Sequence, residues 1–298
     1  MSTAVLVMAY GSPSDPADIP AYFDEIRGGR PVRPEAVAEL AERYRRIGGS
    51  PLNEITEAQR AALERELGLP VYTGMKHWSP RIADALAAAS EGGAERVVAL
   101  VLAPHYSRIS IGGYLDRVEA AVNGKPDVVF ISSWHVHEPF VDVLAERVRG
   151  TDAHVVFTAH SLPERILAEG DPYRDQLLQT SRLVAARAGI GDRWSFAFQS
   201  ASATGEPWLG PDILEELERL HGEGVRKVLV CPVGFVADHL EILWDIDVEA
   251  REKAAELGIE LDRIESLNDD PAFIRALADL VRSHLVGDPV GGGVVGET

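Results

Sequence analysis

The stretch VVFTAHSLPER, residues 155–165, opens on apolar and β-branched residues and stops abruptly on a histidine. An apolar run without alternation is how a strand covered on both faces of a parallel sheet reads. Pro163 then suits the first turn of a helix. Open α/β sheets hold ligands at the carboxyl ends of their strands, so His160 marks a candidate site. A matching segment lies near the start of the chain. AVLVMAYGSP (4–13) has the pattern of HVVFTAHSLP (154–163), with Tyr10 in the place of His160. ERVVALVLAPHYS (95–107) pairs in the same way with VRKVLVCPVGFVADH (225–239).

Further strand candidates are DVVFISS, PVYTGMK, SFAFQS and ELDRIES. Between them lie amphipathic helical segments such as PEAVAELAERYRRI, TEAQRAALERELG, PRIADALAAASEGG and PDILEELERLHGEG. This alternation implies a doubly wound α/β fold, and the internal echo implies two similar α/β domains with a cleft between them. The expected division is 1–145 and 146–270, joined near residues 138–153. A last helix over 271–286, with Asp270 as N-cap and Pro271 at N1, could belong to either domain. Disorder is expected for the glycine-rich tail, 287–298.

Composition bounds the function. The chain has 298 residues, 46% of them hydrophobic, and a formal net charge of -18, which argues against nonspecific binding of nucleic acid or anionic membrane. Against that background, residues 27–46 hold Arg27, Arg30, Arg33, Arg43, Arg45 and Arg46, but only Glu35, Glu39 and Glu42 as acids. Such a cluster is usually a solvated face, yet it suits recognition of carboxylate or phosphate by fork-shaped donors. One cysteine, Cys231, provides neither an intrachain disulfide nor the ligands of an iron–sulfur cluster. The apolar runs are far shorter than a membrane span needs, so a cytoplasmic protein is expected.

After GFVADH, Asp238 reads as the N-cap of a helix that carries Glu241, Asp245 and Glu249 four apart on one face. That ladder calls for a cation, or is a solvated helix face, the commoner case. His160 taken alone reads equally as a hydrogen-bonded turn residue or a functional one. Next to Glu241 it would make a site for a borderline divalent metal, or a proton-accepting pair. His135 and His137 alternate as on one strand face and read as structural; His105 is ambiguous; Tyr10 and Tyr44 could be core aromatics. GxxxxGK[ST], a GxGxxG after a strand, HExxH and GxSxG are all missing, and Ser161 beside His160 has no separate base.

The segments LVMAYGSP, YRRIGGSPL, GMKHWSP, LAPHYS, FTAHSLPER, GDPY with Gln176 after it, FQS, PWLGPD and CPVGFVADHLEILWDID, in this order, resemble ferrochelatases over almost the whole chain. The resemblance implies two Rossmann-like domains, each a parallel sheet flanked by helices, around a cleft in which Fe2+ is inserted into a porphyrin. Within the family the chain is similar to the compact coproporphyrin III enzymes of Gram-positive bacteria and actinobacteria, through Tyr10 in MAYGSP, the charged segment 27–50 and the lack of a cysteine-rich C-terminal extension. It implies His160 and Glu241 as catalytic and metal-site residues, with Tyr10 near the iron on the opposite porphyrin face. Arg27, Arg43, Tyr44, Ser50 and Tyr114 match positions that contact macrocycle or propionates. Asp245 and Glu249 would extend a polar path and hold a second cation. GGSPL is one residue shorter than the pattern of the compact enzymes, which loosens the placement of Ser50, and Trp244 stands where relatives show tyrosine. No tightly bound cofactor and no iron–sulfur cluster are expected, Fe2+ being substrate. A monomer is expected, with transient contact to neighbouring haem-pathway enzymes. A protoporphyrin IX ferrochelatase, a cobalt or nickel tetrapyrrole chelatase and a non-catalytic haem- or metal-binding protein remain as alternatives.

Overall fold

The computed structural model describes residues 2–29, 33–122, 124–202 and 204–285. Arg30 of the basic segment, Val286 and the tail therefore lie outside the described residues. The strands are β1 (Thr3–Ala9), β2 (Val71–Met75), β3 (Arg96–Val101), β4 (Asp127–Ile131), β5 (His154–His160), β6 (Trp194–Gln199), β7 (Lys227–Cys231) and β8 (Glu260–Arg263). All their pairings are parallel. Parallel neighbours need crossovers rather than hairpins, and helices supply them. Between β1 and β2 run α1 (Ile19–Ile26), α2 (Pro34–Ile47) and α3 (Leu52–Leu67); α4 (Ile82–Glu91), α5 (Gly112–Ala121) and α6 (Glu138–Val148) follow β2, β3 and β4. In the second half α7 (Tyr173–Ala188) and α8 (Ile213–Gly222) follow β5 and β6. A π-helix (Ile242–Ala250) then runs into α9 (Arg251–Leu257), and α10 (Pro271–Leu285) closes the chain.

The two sheets have one topology. The first runs β2-β1-β3-β4 and the second β6-β5-β7-β8. The echoed segments are therefore the two central strands of each half, β1 with β3 and β5 with β7. Each of these strands is buried on both faces, which is why it reads as an unbroken apolar run. Along β1, Val5 and Val7 join one core, whereas Ala4, Leu6 and Met8 join another under α4 and α5. The period of two is present, but both faces are apolar. The first of these cores also takes Phe157 and Ala159 of β5, with Phe140 of α6 and Phe273 and Leu277 of α10, so one apolar cluster runs through both halves.

Residues 145 and 146 fall inside α6, so the joint between the halves is a packed helix. Asp270 caps α10 as its sequence suggests, accepting from Ala272 N at 2.7 Å, and the helix lies against α3 and α6. Two local expectations are corrected. Asp238 does not cap a helix: its carboxylate accepts from Ser266 Oγ at 2.6 Å and Asn268 Nδ2 at 3.1 Å and faces Arg263 at 3.2 Å. Those partners arrive from the end of β8 and the segment after it, which local pattern cannot reveal. His135 and His137 are not on a strand but in the turn between β4 and α6, bonded to Ser133 and Gln179 and to the Ala276 carbonyl.

The turn after β7 is held tightly against β5. Gly234 N donates to the Thr158 carbonyl at 3.1 Å, and a Cβ on Gly234 would lie 2.5 Å from Ala159 Cβ. Gly234→Ala is expected to cost about 1–3 kcal/mol by forcing this loop off the strand. Urea unfolding measures it, and an unchanged midpoint would contradict the close approach.

Candidate active site

In both sheets the chain leaves the second strand of the order, crosses to one neighbour and returns to the other side. The crevice this creates at the strand ends is the usual ligand position in open α/β sheets. Here the two crevices share one cavity of about 240 Å³. Tyr10 and His105, beyond β1 and β3, line it from the first half; His160, Gly234 and Glu241, at and beyond β5 and β7, line it from the second. Tyr44, Ser50 and Tyr114 line it as well. Of the sequence candidates, Arg27, Arg43, Asp245 and Glu249 do not.

His160 is the last residue of β5, and its Nδ1 lies 3.0 Å from Glu241 Oε2. A carboxylate only accepts, so Nδ1 carries the proton and the neutral ring keeps its lone pair on Nε2. Both side chains remain about one-third exposed, 31% and 34%, which leaves the pair reachable by a substrate. Burial opposes charge on His160, but the charge and hydrogen bond of Glu241, with Asp245 behind it, raise its pKa overall. For Glu241, burial favours the neutral acid, yet His160 and then His239 together hold the carboxyl far below its usual range. His239 Nε2 lies 3.5 Å from the same oxygen, with its Nδ1–H donating to the Ala237 carbonyl at 2.9 Å. Glu241 is therefore flanked by two imidazoles, the second of which, His239, is not singled out by the sequence although it sits in GFVADH.

Tyr10 is 42% exposed yet its phenol is raised, first by burial and then by the charge of Glu241. Its ring leans on His77, centroids 4.6 Å apart. Lys76 beside it is buried, donates to the Ser110 carbonyl at 2.9 Å and lies 4.9 Å over the Tyr114 ring. Burial, then Arg117, brings its pKa down to about 8. Neither Lys76 nor His77 stood out in the sequence, although both sit in GMKHWSP. Tyr44 bonds Ser12 Oγ at 2.9 Å, whereas Ser50 Oγ is buried without a partner. Tyr173 of GDPY donates to the His160 carbonyl at 3.0 Å, fixing the strand tip. His105 is fully enclosed and bonds Thr180 at 2.8 Å; burial, with His135 adding, keeps it neutral.

The acidic ladder starts at Glu241, the residue just before the π-helix, and continues along that helix with Asp245 and Glu249. Asp245 is buried and accepts from Ser200 Oγ. Burial, opposed by that bond and reinforced by Glu241 and Glu249, pushes its pKa up to about 7. Glu249 faces Arg43 at 3.9 Å. Among the described residues, no group of three or more His, Cys, Asp and Glu side chains is arranged to hold a metal ion. The arginines are largely engaged: Arg43 with Glu39 at 2.9 Å, Arg46 with Glu252 at 3.2 Å, and Arg45 with Glu42. Arg27 stands exposed at the C-terminus of α1 and pairs with none of the described acids. Among the described residues no helix is long and apolar enough to cross a membrane.

Comparison with known proteins gives the family. The family model described as Ferrochelatase matches residues 2–285. The chain is 44% identical to a ferrochelatase of Deinococcus radiodurans, covering 93% of this chain and 94% of that one. It is 41% identical to a coproporphyrin III ferrochelatase of Geobacillus sp. strain WCH70, covering 94% and 97%. Among solved structures, SirB of Bacillus subtilis with Fe3+ superposes with a TM-score of 0.62 at 12% identity, covering 96% of each chain. At that identity the likeness speaks for the fold alone.

The charge of the His160–Glu241 pair has a measurable sign. A raised imidazole pKa contributes stability below its unfolded value of about 6.5, lost as pH rises through the folded value. A lowered carboxyl contributes above its unfolded value of about 4.3, lost as pH falls through the folded value. Glu241→Gln should therefore lose most stability relative to wild type between about pH 4.3 and 6.5. In the same variant the His160 resonance should titrate at lower pH than in wild type. An unshifted titration would sink the pairing.

Proposed function

The chain belongs to the ferrochelatase family, and from that premise we propose that it inserts Fe2+ into coproporphyrin III, releasing two protons, with His160 as proton acceptor. The observation that carries this reading is the His160–Glu241 pair, open to the same cavity as Tyr10. A free-base porphyrin has two inner N–H groups, and metal insertion has to remove both. With its Nδ1–H held by Glu241, His160 offers Nε2 to one pyrrole N–H at a time, and takes the second proton only after the first has passed to solvent. The carboxylate then stabilises the imidazolium that forms, which is what a raised pKa expresses. Glu241 would also meet the incoming cation. Asp245, with a pKa near neutrality, suits passing a proton outward along the π-helix. Tyr10 would face the metal from the other side of the ring.

The preference for coproporphyrin rests on the lip. The cavity, about 240 Å³, is smaller than a usual ligand site of roughly 300–1,000 Å³, so a macrocycle would extend toward α1 and α2. There Arg27 is unpaired among the described acids, and Arg43 uses only Nη2 in its ion pairs. Coproporphyrin III carries four propionates and protoporphyrin IX two, so a basic lip gains more from the former. The Geobacillus relative bears the coproporphyrin name and the Deinococcus relative the plain one.

Anaerobic incubation with Fe2+ and either porphyrin, followed by absorbance, tests the substrate. Faster metallation of coproporphyrin III is expected, and a preference for protoporphyrin IX would overturn that part of the reading. His160→Ala should lower kcat by about 10²–10⁴-fold while porphyrin still binds. Arg27→Ala should raise KM for coproporphyrin about two- to fivefold, the range of an exposed ion pair. Unchanged KM would remove the propionate contact.

A further inference from the structure

Trp244 lies in the π-helix, between Glu241 and Asp245, yet its surroundings belong to the opposite lip. The indole is buried, 8% exposed, and its Nε1 has no hydrogen-bond partner. No polar contact fixes this ring. What covers it is a pair of guanidinium groups from α2: Arg43 Cζ lies 5.4 Å and Arg46 Cζ 4.9 Å from the ring centroid. The two arginines are three residues apart on one helix face, so a single indole can serve both. Carboxylates of the same segment complete the contact, Glu249 at 3.9 Å from Arg43 and Glu252 at 3.2 Å from Arg46.

Stacking and hydrogen bonding use different parts of a guanidinium. The ring takes its face, whereas carboxylates are met by the N–H groups along its edge. In Arg43 only Nη2 is engaged, by Glu39 at 2.9 Å and more distantly by Glu249, so Nε and Nη1 remain unpaired among the described residues. Without the platform, Arg43 would be free to fold onto its carboxylates with its edge consumed. We propose that Trp244 is a positioning residue: it holds Arg43 by its face and so presents the free edge to a substrate carboxylate. This rests on the reading, given above, that Arg43 meets a porphyrin propionate. It adds that the affinity of the lip is set by a residue on the helix that also carries Glu241 and Asp245.

The test is a double-mutant cycle on the full chain. Coproporphyrin III binding is followed by fluorescence, KM and kcat by iron insertion, and folding by thermal unfolding. Trp244→Leu should weaken porphyrin binding and raise KM about three- to tenfold, with a much smaller change in kcat. Trp244→Phe, which keeps an aromatic face, should restore most of the loss. In an Arg43→Ala background, Trp244→Leu should cost little more, because the group it positions is gone. If Arg43→Ala weakens binding but Trp244→Leu does not, or if the two losses add in full, the positioning role is overturned and the propionate reading stands. If Arg43→Ala leaves binding unchanged, the propionate reading fails and the positioning role falls with it. Should Trp244→Leu not fold, Trp244→Met is read in its place.

Discussion

The hydrogen bond from His160 Nδ1 to Glu241, 3.0 Å long, is the constraint around which the second half is built. Its partners lie 81 residues apart and come from separate elements, the tip of β5 and the first turn of the helix beyond β7. They meet because β5 and β7 are hydrogen-bonded neighbours and because Gly234 lets the turn after β7 touch the backbone of β5. The Tyr173 hydroxyl fixes the His160 carbonyl from a third element. A half-buried carboxylate tolerates little slack in its partner, since without the imidazole N–H Glu241 would be left an uncompensated charge. A single glycine contact therefore matters more to the site than the larger cores that surround it.

The repeated topology explains why the site has two unlike walls. Both halves offer the same crevice, but they fill it with different chemistry. The second half contributes the His160–Glu241 pair. The first contributes Tyr10, Tyr44 and Tyr114, groups that burial keeps protonated and uncharged. Burial also holds the pKa values of His77 and His105 down, so these imidazoles of the first half are weaker proton acceptors than His160. A flat ligand between these walls would meet a proton-accepting pair on one face and neutral aromatic groups on the other.

Much of this was legible in the residues. The continuous apolar runs named the strands because both faces of each central strand are covered, and the two quoted echoes located the paired sheets. The polar tips His160 and Tyr10 followed from sheet physics and Glu241 from the acidic ladder; the resemblance gave Tyr44, Ser50 and Tyr114, which line the cavity with them, and Arg27 and Arg43, which do not. What could not be read depends on contacts between distant segments. Asp238 looks like a cap until Ser266, Asn268 and Arg263 are seen to claim it. The π-helix was equally hidden: ILWDIDVEA is compatible with either helical winding, and only backbone bonds such as Arg251 N to Ile246 O, five residues back, reveal the wider turn. The basic segment looked like free positive charge because its acidic partners Glu249 and Glu252 lie about 200 residues away, as the 206-residue separation of Arg46 and Glu252 shows.

The same pairs resolve a conflict within the proposed reaction. A divalent cation and a porphyrin bearing several carboxylates ask for potentials of opposite sign, yet they must meet in one cavity. Carboxylates along the π-helix make its inner end attractive to a cation, and in a chain of net charge -18 they would also repel the porphyrin's acids. Laying Arg43 and Arg46 over the outer part of that helix neutralises Glu249 and Glu252 where the lip is, and leaves Glu241 and Asp245 acidic farther in. The field is thus divided along one helix rather than between two domains. That is why a residue such as Trp244, which neither lines the cavity nor carries a charge, lies at the point where the two halves have to agree.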